Sequence, residues 1–361
     1  MTQTHQPTAG APEPRQLSRR TLLGAFGAGV ATLAITGCGR NSALDSPATA
    51  SASAGSGFPV TVTHRFGTTT IPAAPKRIAA LGQTDCDPLI ALGVTPVGIG
   101  SFKQGWYDPF HPWNEPGFTD GNPPQLNFSE PEYGKILELQ PDLITMVSGG
   151  ITKAQYKKLS QIAPVVGPPV GYEDYAVPYG PHTLLIGQCV GKEDEAKAVV
   201  AKVDAEFAAV RKRHPEWANM TAADAESYTG KYDVLGKNAP RSTFLTSMGF
   251  KASPKLAKAI GGKYQLDISA EELGPLVGDL DLVIWNTDPG TIKKLQTDAV
   301  VSGLSNTQKG HAIWITYDKT DQFMWAMDWG TVLSSSYAIK VGEPLIEQAL
   351  AGKNPISPGN G

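Results

Sequence analysis

The chain has 361 residues, of which 41% are hydrophobic and 18% are charged, and this balance is that of a globular protein. Its formal net charge of −3 excludes the strongly basic surface by which proteins bind nucleic acids, so we expect no nucleic-acid partner. Its three cysteines are too few for a framework of disulfides.

The N-terminus carries an export signal. Ser18-Arg19-Arg20-Thr21 contains a twin-arginine pair, and an apolar run of small residues follows at 22–35. This run has about 14 residues, whereas a helix that spans a bilayer needs about 20. It ends at Ile35-Thr36-Gly37-Cys38, which resembles the lipobox of bacterial lipoproteins, where the cysteine is acylated after cleavage.

We therefore predict a twin-arginine signal peptide at 1–37 and a lipid anchor on Cys38. The anchor would hold the protein on the extracytoplasmic face of the cell membrane. An ordinary signal peptide, with no lipid on the cysteine, is the alternative.

Residues 38–57 are predicted to be a flexible linker. After Cys38 the sequence GRNSALDSPATASASAGSG is small and polar and holds almost nothing that a core could bury. Such a segment behaves as a coil, so it would tether the folded part to the membrane and let it turn freely.

The folded part begins with alternating strands and helices. A short apolar run bounded by glycine or polar residues predicts a strand, and a longer run with helical spacing predicts a helix. In chain order we predict a strand at 77–81, a helix from 87 to 92, a strand within 94–100, a helix at 136–139, a strand at 143–147, a helix at 154–162 and a strand at 163–166. This alternation indicates βαβ units and a parallel sheet.

One long helix is predicted at the middle of the chain. Apolar residues recur at helical spacing on one face, and they are Ala196, Val199, Val200, Val203, Phe207 and Val210. Charged residues occupy the other face and His214-Pro215 ends the run, so the helix should extend from Glu193 to Arg213. It is either a surface helix or the connection between two lobes.

The second half repeats a phrase of the first half. Pro141-Asp142-Leu143-Ile144 and Leu280-Asp281-Leu282-Val283 each join a helix to an apolar strand. Strands are predicted at 280–285 and 312–316, and helices at 243–248 and 331–339. The weak repeat indicates two similar α/β lobes, although any two αβ units can share such a phrase by chance.

Five phrases together resemble a known family. They are Pro75-Lys76-Arg77-Ile78, Leu92-Gly93-Val94-Thr95-Pro96-Val97-Gly98, Leu139-Gln140-Pro141-Asp142-Leu143-Ile144, Leu159-Ser160-Gln161-Ile162-Ala163-Pro164-Val165 and Ile268-Ser269-Ala270-Glu271-Glu272-Leu273. In order and spacing they are similar to the periplasmic-binding-protein family of iron–siderophore and cobalamin ABC importers, over about residues 58–350.

The resemblance implies an α/β fold of two Rossmann-like lobes, bridged by one long helix. The lobes would be 58–190 and 215–361, with the connecting helix at 191–214. It also implies a monomeric solute-binding protein without enzymatic activity or a resident cofactor. Such a protein captures a ferric siderophore between the lobes and delivers it to an ABC permease.

The predicted ligand contacts follow from the position of loops in an open parallel sheet, where ligands bind beyond the carboxyl ends of the strands. These loops are rich in aromatic residues, which bury a large area and stack on planar groups. The predicted contacts are Gln83, Asp85, Trp106, Tyr107, Ser148, Tyr175, Asn286, Tyr317 and Trp325. Arg241 precedes the helix at 243–248, and its guanidinium is predicted to pair with anionic oxygens of the chelate.

Docking to the permease is a second role that the resemblance implies. Family members present one acidic residue per lobe to arginines of the permease. Glu271 matches the acid of the second lobe, whereas Gly134 occupies the usual position in the first lobe. Glu130 and Glu132 are close by, and we choose Glu132 as the first-lobe docking acid.

Other ligands on the same scaffold remain open at this point. Haem or a corrinoid is the main alternative, and Tyr172, Tyr175 or Tyr179 could then supply an axial haem ligand. A receptor for a bare metal ion is less well supported, because the histidines of the folded part are dispersed and none forms a paired motif. Cys86 and Cys189 could form a disulfide, but the sequence does not require one.

Overall fold

The computed structural model of the chain describes residues 57–101, 109–119, 121–228 and 230–359. Within these ranges the protein contains two five-stranded sheets, one formed before the long central helix and one after it. The signal peptide, Cys38 and all but the last residue of the predicted linker lie outside the described residues, as do Trp106 and Tyr107. None of the helices in the described ranges has the length and apolar character needed to cross a bilayer.

A hairpin and a parallel sheet form the N-terminal lobe. The hairpin pairs β1 (Val60–His64) with β2 (Gly67–Ile71). The sheet has the order β5-β4-β3-β6-β7 with every pair parallel, as the alternating pattern predicts. Its strands are β3 (Ile78–Ala80), β4 (Gly98–Ser101), β5 (Gln125–Asn127), β6 (Leu143–Thr145) and β7 (Val165–Val166). After β3 the chain adds β4 and β5 on one side of β3, and it then adds β6 and β7 on the other side. The topological switch point therefore lies between β3 and β6.

Four helices cover the two faces of this sheet. They are α1 (Cys86–Ala91), α2 (Tyr133–Glu138), α3 (Lys153–Leu159) and α4 (Tyr179–Val190). α3 begins with a capping box, in which Thr152 and Gln155 satisfy each other's backbone amides. α4 ends at Gly191, whose φ of 70° lies in the left-handed region that glycine adopts without steric cost.

The connecting helix, α5, extends from Glu193 to Arg213 as predicted. Its first turn is acidic and its last turn is basic, which favours the helix dipole at both ends. Ala196 packs in a core of the N-terminal lobe, whereas Val203, Phe207 and Val210 pack in a core of the second sheet. The helix therefore connects the two lobes through buried contacts with both.

The second sheet belongs to the C-terminal lobe and is mixed, not fully parallel. Its order is β10-β9-β8-β11-β12, and β9 and β10 are antiparallel to their neighbours. The strands are β8 (Ala222–Tyr228), β9 (Lys231–Leu235), β10 (Gln265–Ile268), β11 (Leu282–Thr287) and β12 (Ala312–Thr316). Tyr228 pairs with Lys231 across a two-residue connection, which is long enough for a hairpin but far too short for a parallel crossover.

The helices of the C-terminal lobe pack on both faces of this sheet. They are α6 (Pro240–Met248), α7 (Pro254–Ile260), α8 (Ala270–Val277), α9 (Ile292–Gln296), α10 (Ala299–Ser302), α11 (Ser305–Gln308), α12 (Gln322–Trp329) and α13 (Val332–Leu350). The last of these, α13, also contacts α1, α4 and α5, so the lobes meet directly as well as through the connecting helix.

The two cysteines of the folded part are both buried and unpaired. A Cys86–Cys189 disulfide is therefore absent. Burial, as the largest cause, raises the pKa of both thiols, and that of Cys189 reaches about 12. Both side chains act as small apolar groups in the core of the N-terminal lobe.

Candidate functional site

The two lobes enclose two adjoining cavities. The outer cavity has a volume of about 970 Å³ and lies between residues 171–176 and Pro178 of the N-terminal lobe and Lys237, Asn238, Thr243 and Tyr264 of the C-terminal lobe. The inner cavity is lined by Ser148, Tyr179, Phe207, Phe244 and Trp329, among others. Tyr175, Ala176, Pro178, Asn238 and Thr243 line both cavities. The volume is that of a pocket for a small organic ligand.

The switch point of the first sheet positions the polar side of the inner cavity. Gln83 follows β3 and Ser148 follows β6, and the backbone amide of Gln83 donates to the carbonyl of Ser148 at 2.7 Å. Ser148 lines the inner cavity, and Gln83 is half-buried. The strand-end rule thus places Ser148 at the cavity.

Asp85 supports this loop from within the lobe. Its fully buried carboxylate accepts hydrogen bonds from the amides of Val147 and Ser148, at 2.9 and 2.8 Å, and from His182 Nε2 at 3.0 Å. Burial alone would raise the pKa of Asp85, but His182 and the two amides outweigh it and lower the pKa. No surface of Asp85 remains for a ligand, so we assign it to the positioning of Ser148.

Tyrosines form the wall that the N-terminal lobe contributes. Tyr175 is 39% exposed and adopts a positive φ of 62° in the loop that follows β7. Its ring meets Phe128 edge-on at 6.0 Å between centroids. Tyr179 also lines the inner cavity, but its hydroxyl donates to Asp204 Oδ1 at 2.5 Å. Because that hydroxyl is engaged, Tyr179 is poorly placed to bind haem iron.

Arg241 does not reach the cavities as the sequence suggested. It lies in the first turn of α6 and is 1% exposed. Its guanidinium pairs with Glu226, donates to the Tyr317 hydroxyl at 2.9 Å, and lies 3.2 Å from Asp224 and 3.7 Å from Asp328. The contact with Asp224 is an ion pair without hydrogen-bond alignment. The guanidinium that was expected to bind an anionic chelate is therefore paired with carboxylates of the protein itself.

Three other predicted contacts lie behind the cavity walls. Asn286 is fully buried in β11, and Tyr317 is half-buried with its hydroxyl between Arg241 and Glu226. Trp325 is 2% exposed and donates from Nε1 to the Asp318 carbonyl at 2.9 Å. Sequence reasoning placed them at the cleft because each follows or ends a strand, but none of the three lines either of the two cavities.

Sequence reasoning missed most of the wall that the C-terminal lobe contributes. Lys237 and Asn238 follow β9, a strand that no apolar pattern predicted because Asp233 interrupts it. Phe207 was assigned only to the apolar stripe of the connecting helix, although it also lines the inner cavity. Aromatic residues near the middle of the long helix are the signal that could have identified it.

The predicted docking acids are both at helix starts on the protein surface. Glu271 is exposed in the first turn of α8, which is fixed by a capping box between Ser269 and Glu272. Glu132 is the N-cap residue of α2, is half-buried, and pairs with Lys135 at 2.9 Å. Their role in docking stays a prediction.

One group of residues has a spacing that could hold a metal ion. Within the described ranges it consists of His214, Glu343 and Glu347, at the junction of the connecting helix and α13. Arg213 already engages both oxygens of Glu343, at 2.7 and 2.6 Å, and lowers the pKa of that carboxyl. None of the three lines either cavity.

Comparison with known proteins decides the family. A model of the periplasmic binding protein family matches residues 78–317, which span the first strand of the N-terminal sheet to the loop after β12. The chain belongs to the periplasmic binding protein family. The predicted family and its two-lobe α/β fold are therefore confirmed.

Relatives of this periplasmic binding protein bind iron carriers. A probable siderophore-binding lipoprotein, YfiY of Bacillus subtilis, is 28% identical over 196 residues, which cover 54% of this chain and 58% of the relative. The petrobactin-binding protein YclQ of Bacillus subtilis is 25% identical over 291 residues, or 78% of this chain and 86% of the relative. A periplasmic solute binding protein from Mycobacterium smegmatis superposes with a TM-score of 0.71 at 28% identity, over 81% of this chain and 98% of that one.

Proposed function

We propose that this periplasmic binding protein captures a ferric siderophore between its lobes and delivers it to an ABC permease. The observation that carries the proposal is the cleft of about 970 Å³, which tyrosines line on both sides. Such a site buries a bulky, partly planar chelate by aromatic contact. The names of the relatives YfiY and YclQ support the same ligand class. Binding and release of this kind need no catalytic step.

A fluorescence titration tests the proposal, because the chain contains seven tryptophans. We expect saturable quenching by at least one class of ferric siderophore. The Tyr175→Ala variant should weaken binding about tenfold or more, because it removes an exposed ring from both cavities. Tyr133→Ala is the matched control, since Tyr133 lies in α2 and lines neither cavity.

The result that would overturn the proposal is a flat titration with hydroxamate, catecholate and carboxylate siderophores alike. Haem is tested in the same series. A Soret shift that saturates with haem, together with no response to ferric siderophores, would replace the proposal with the haem alternative.

We also propose that the protein is anchored through a lipid on Cys38, as the sequence of the signal region indicates, and that it is a monomer, as the family resemblance implies. Full-length protein should sediment with membranes, and the Cys38→Ala variant should not be acylated and should appear in the soluble extracytoplasmic fraction. Unchanged membrane attachment of the variant would contradict the anchor.

Docking to the permease through Glu132 and Glu271 completes the proposed function. Glu132→Gln with Glu271→Gln should abolish siderophore-dependent iron uptake in cells while leaving the Kd for the siderophore unchanged. Glu130→Gln is the control because Glu130 is an exposed neighbour of Glu132. Normal uptake by the double variant would show that other residues contact the permease.

A further inference from the structure

The charges beneath the cleft are unbalanced in favour of carboxylates. Arg241 is surrounded by Asp224, Glu226 and Asp328, a group that we name the Arg241 cluster. One guanidinium thus faces three carboxyl groups. Burial raises the pKa of Asp224 to about 8, so this group is largely protonated at neutral pH. Burial raises the pKa of Asp328 as well, although Arg241 opposes that shift. Within the cluster Arg241 is compensated by its ion pair with Glu226.

The surface that this cluster exposes is acidic. The side chain of Arg241 is 1% exposed and that of Asp224 is fully buried, whereas the side chains of Glu226 and Asp328 are 8% and 21% exposed. None of the four side chains lines either cavity, so the cluster acts on a bound chelate through its charge, from behind the cavity wall. The Tyr317 hydroxyl, which bonds to both Arg241 and Glu226, covers the cation further.

The cluster adjoins the cavities on two sides. Asn238 and Pro240 line the inner cavity and lead directly into Arg241, and Met327 and Trp329 flank Asp328 and line the same cavity. Tyr264 lines the outer cavity, and its pKa is raised by burial first and then by the charge of Asp328. The charge of the cluster therefore acts on the space where the ligand binds.

A row of acidic residues continues from Glu226 across the C-terminal sheet. Glu226 on β8 pairs with Asp233 on β9, which in turn pairs with Asp267 on β10. Burial first, and then the hydrogen bond and the charge of Asp267, raise the pKa of Asp233 to about 6. Three acidic residues therefore lie side by side across three neighbouring strands of the C-terminal sheet.

Few basic side chains line the described part of the cavities. Among the described residues that line them, Lys237 is the one basic side chain, against Glu173 and Asp174. Arg65 lies beside the outer cavity but is paired with Asp174. Hence the part of the cleft that the structure describes offers no concentrated positive charge to a polyanion.

The net charge of a ferric chelate is the sum of the charges of Fe³⁺ and of its chelating groups. Three hydroxamate groups carry one negative charge each and neutralise Fe³⁺, so a trihydroxamate complex is neutral, or cationic when it bears an ammonium group. Three catecholates carry two charges each and leave a complex of charge −3. Carboxylate chelates such as ferric citrate are also anionic.

We propose that this cleft selects ferric chelates of zero or positive net charge, the class formed by three hydroxamate groups, and discriminates against polyanionic chelates. The inference rests on the proposed function and refines its ligand class. Its physical basis is that Arg241, a buried cation behind the cavity wall, is neutralised by the protein's own carboxylates, and that Lys237 is the one basic side chain among the described residues that line the cavities.

Affinity measurements with chelates of different charge test the inference. Ferrioxamine B, which is cationic, ferrichrome, which is neutral, and a ferric tricatecholate are titrated at about 50 and 500 mM NaCl. We expect the cationic or neutral chelate to bind at least about tenfold more tightly than the tricatecholate at low salt. The difference should narrow at high salt, because added ions screen exposed charges.

Two charge-removing variants link this preference to the Arg241 cluster. Glu226→Gln and Asp328→Asn should each reduce the discrimination against the tricatecholate severalfold, because they release part of the positive charge of Arg241. Asp279→Asn removes an exposed acid of the same lobe that lines neither cavity, and it should leave the ratio unchanged. Thermal melts verify that each variant is folded, and the salt series on the unaltered protein needs no variant.

The outcomes separate this inference from the proposed function. Tighter binding of the tricatecholate or of ferric citrate than of either hydroxamate would overturn the charge selection and leave siderophore capture intact. A hydroxamate preference that Glu226→Gln and Asp328→Asn do not change would also overturn it. Absence of binding by every ferric chelate would overturn both.

Discussion

Two buried aspartates of this protein have pKa values that are shifted in opposite directions. Asp85 accepts two backbone amides and a contact from His182, so its ionised form is stabilised in spite of burial. Asp224 is equally buried but meets Arg241 only as an unaligned ion pair, and Glu226 and Asp328 repel its charge. Since both groups are fully buried, the aligned donors around Asp85 and the neighbouring carboxyl groups around Asp224 account for the opposite directions of their pKa shifts.

Replacement of Asp224 by asparagine should change how stability depends on pH. The folded-state pKa of about 8 lies above the unfolded value of 3.8, so the folded protein holds a proton that the unfolded chain releases. The free energy of unfolding of the parent should therefore fall as the pH rises from about 4 to about 8. Asparagine cannot ionise, and D224N should be more stable than the parent at pH 8 by at least about 2 kcal/mol.

Urea denaturation at pH 5, 6.5 and 8 measures this difference. Asp194→Asn is the control, because Asp194 is exposed at the start of α5. Parallel pH curves for D224N and the parent would show that Asp224 is ionised in the folded protein.

At the scale of elements, the connecting helix was the most predictable part of the fold. Its apolar stripe, its acidic first turn and the His214-Pro215 stop all point to the same segment, and the structure has the helix at Glu193–Arg213. β9 and β10 were not predicted, because both carry aspartates where an apolar strand residue would be expected. Antiparallel pairing at the edge of the sheet tolerates those polar residues, since one face remains partly open to solvent.

The core contacts of this helix give a second prediction. Phe207 is 3% exposed and packs against Tyr179 and Phe244, with ring centroids 6.4 and 6.1 Å apart. Phe207→Ala should lower the free energy of unfolding by about 3–5 kcal/mol, because it removes a buried ring and leaves a cavity. Lys202→Ala on the exposed face should change it by no more than about 0.5 kcal/mol. Equal effects of the two substitutions in urea denaturation would refute the assigned orientation of the helix.

At the scale of the whole molecule, the lobes are joined by more than the connecting helix. Thr331, the N-cap of α13, donates to the buried carboxylate of Asp87 in α1 at 2.5 Å. Trp113 and Asn114 donate to the same carboxylate at 3.0 and 2.9 Å, and His111 contacts Gln322 at 3.0 Å across the lobes. We expect these buried contacts, together with the stiff helix, to keep relative motion of the lobes small.

Removal of the Thr331 hydroxyl should loosen this contact. Thr331→Val keeps the shape of the side chain but removes a helix cap and one donor to Asp87, so the free energy of unfolding should fall by about 1–3 kcal/mol. Hydrogen exchange should then become faster at α1 and at the start of α13. Thr331→Ser retains the hydroxyl and should behave like the parent. Unchanged exchange in Thr331→Val would mean that the lobes are held together elsewhere.

The sequence by itself determined the family, the alternation of the first lobe, the connecting helix and the loops at the strand ends, because these depend on local periodicity and on motifs close together in the chain. Only the tertiary structure decided which side chains of those loops line the cavities. Ser148 and Tyr175 line the cavities, whereas Asn286 and Trp325 are buried, and Asp85 and Arg241 are buried against partners far away in sequence. Arg241 shows the reason most clearly. The carboxylates that neutralise it come from β8 and α12, and a pattern within a short stretch of sequence cannot predict a contact between such distant segments.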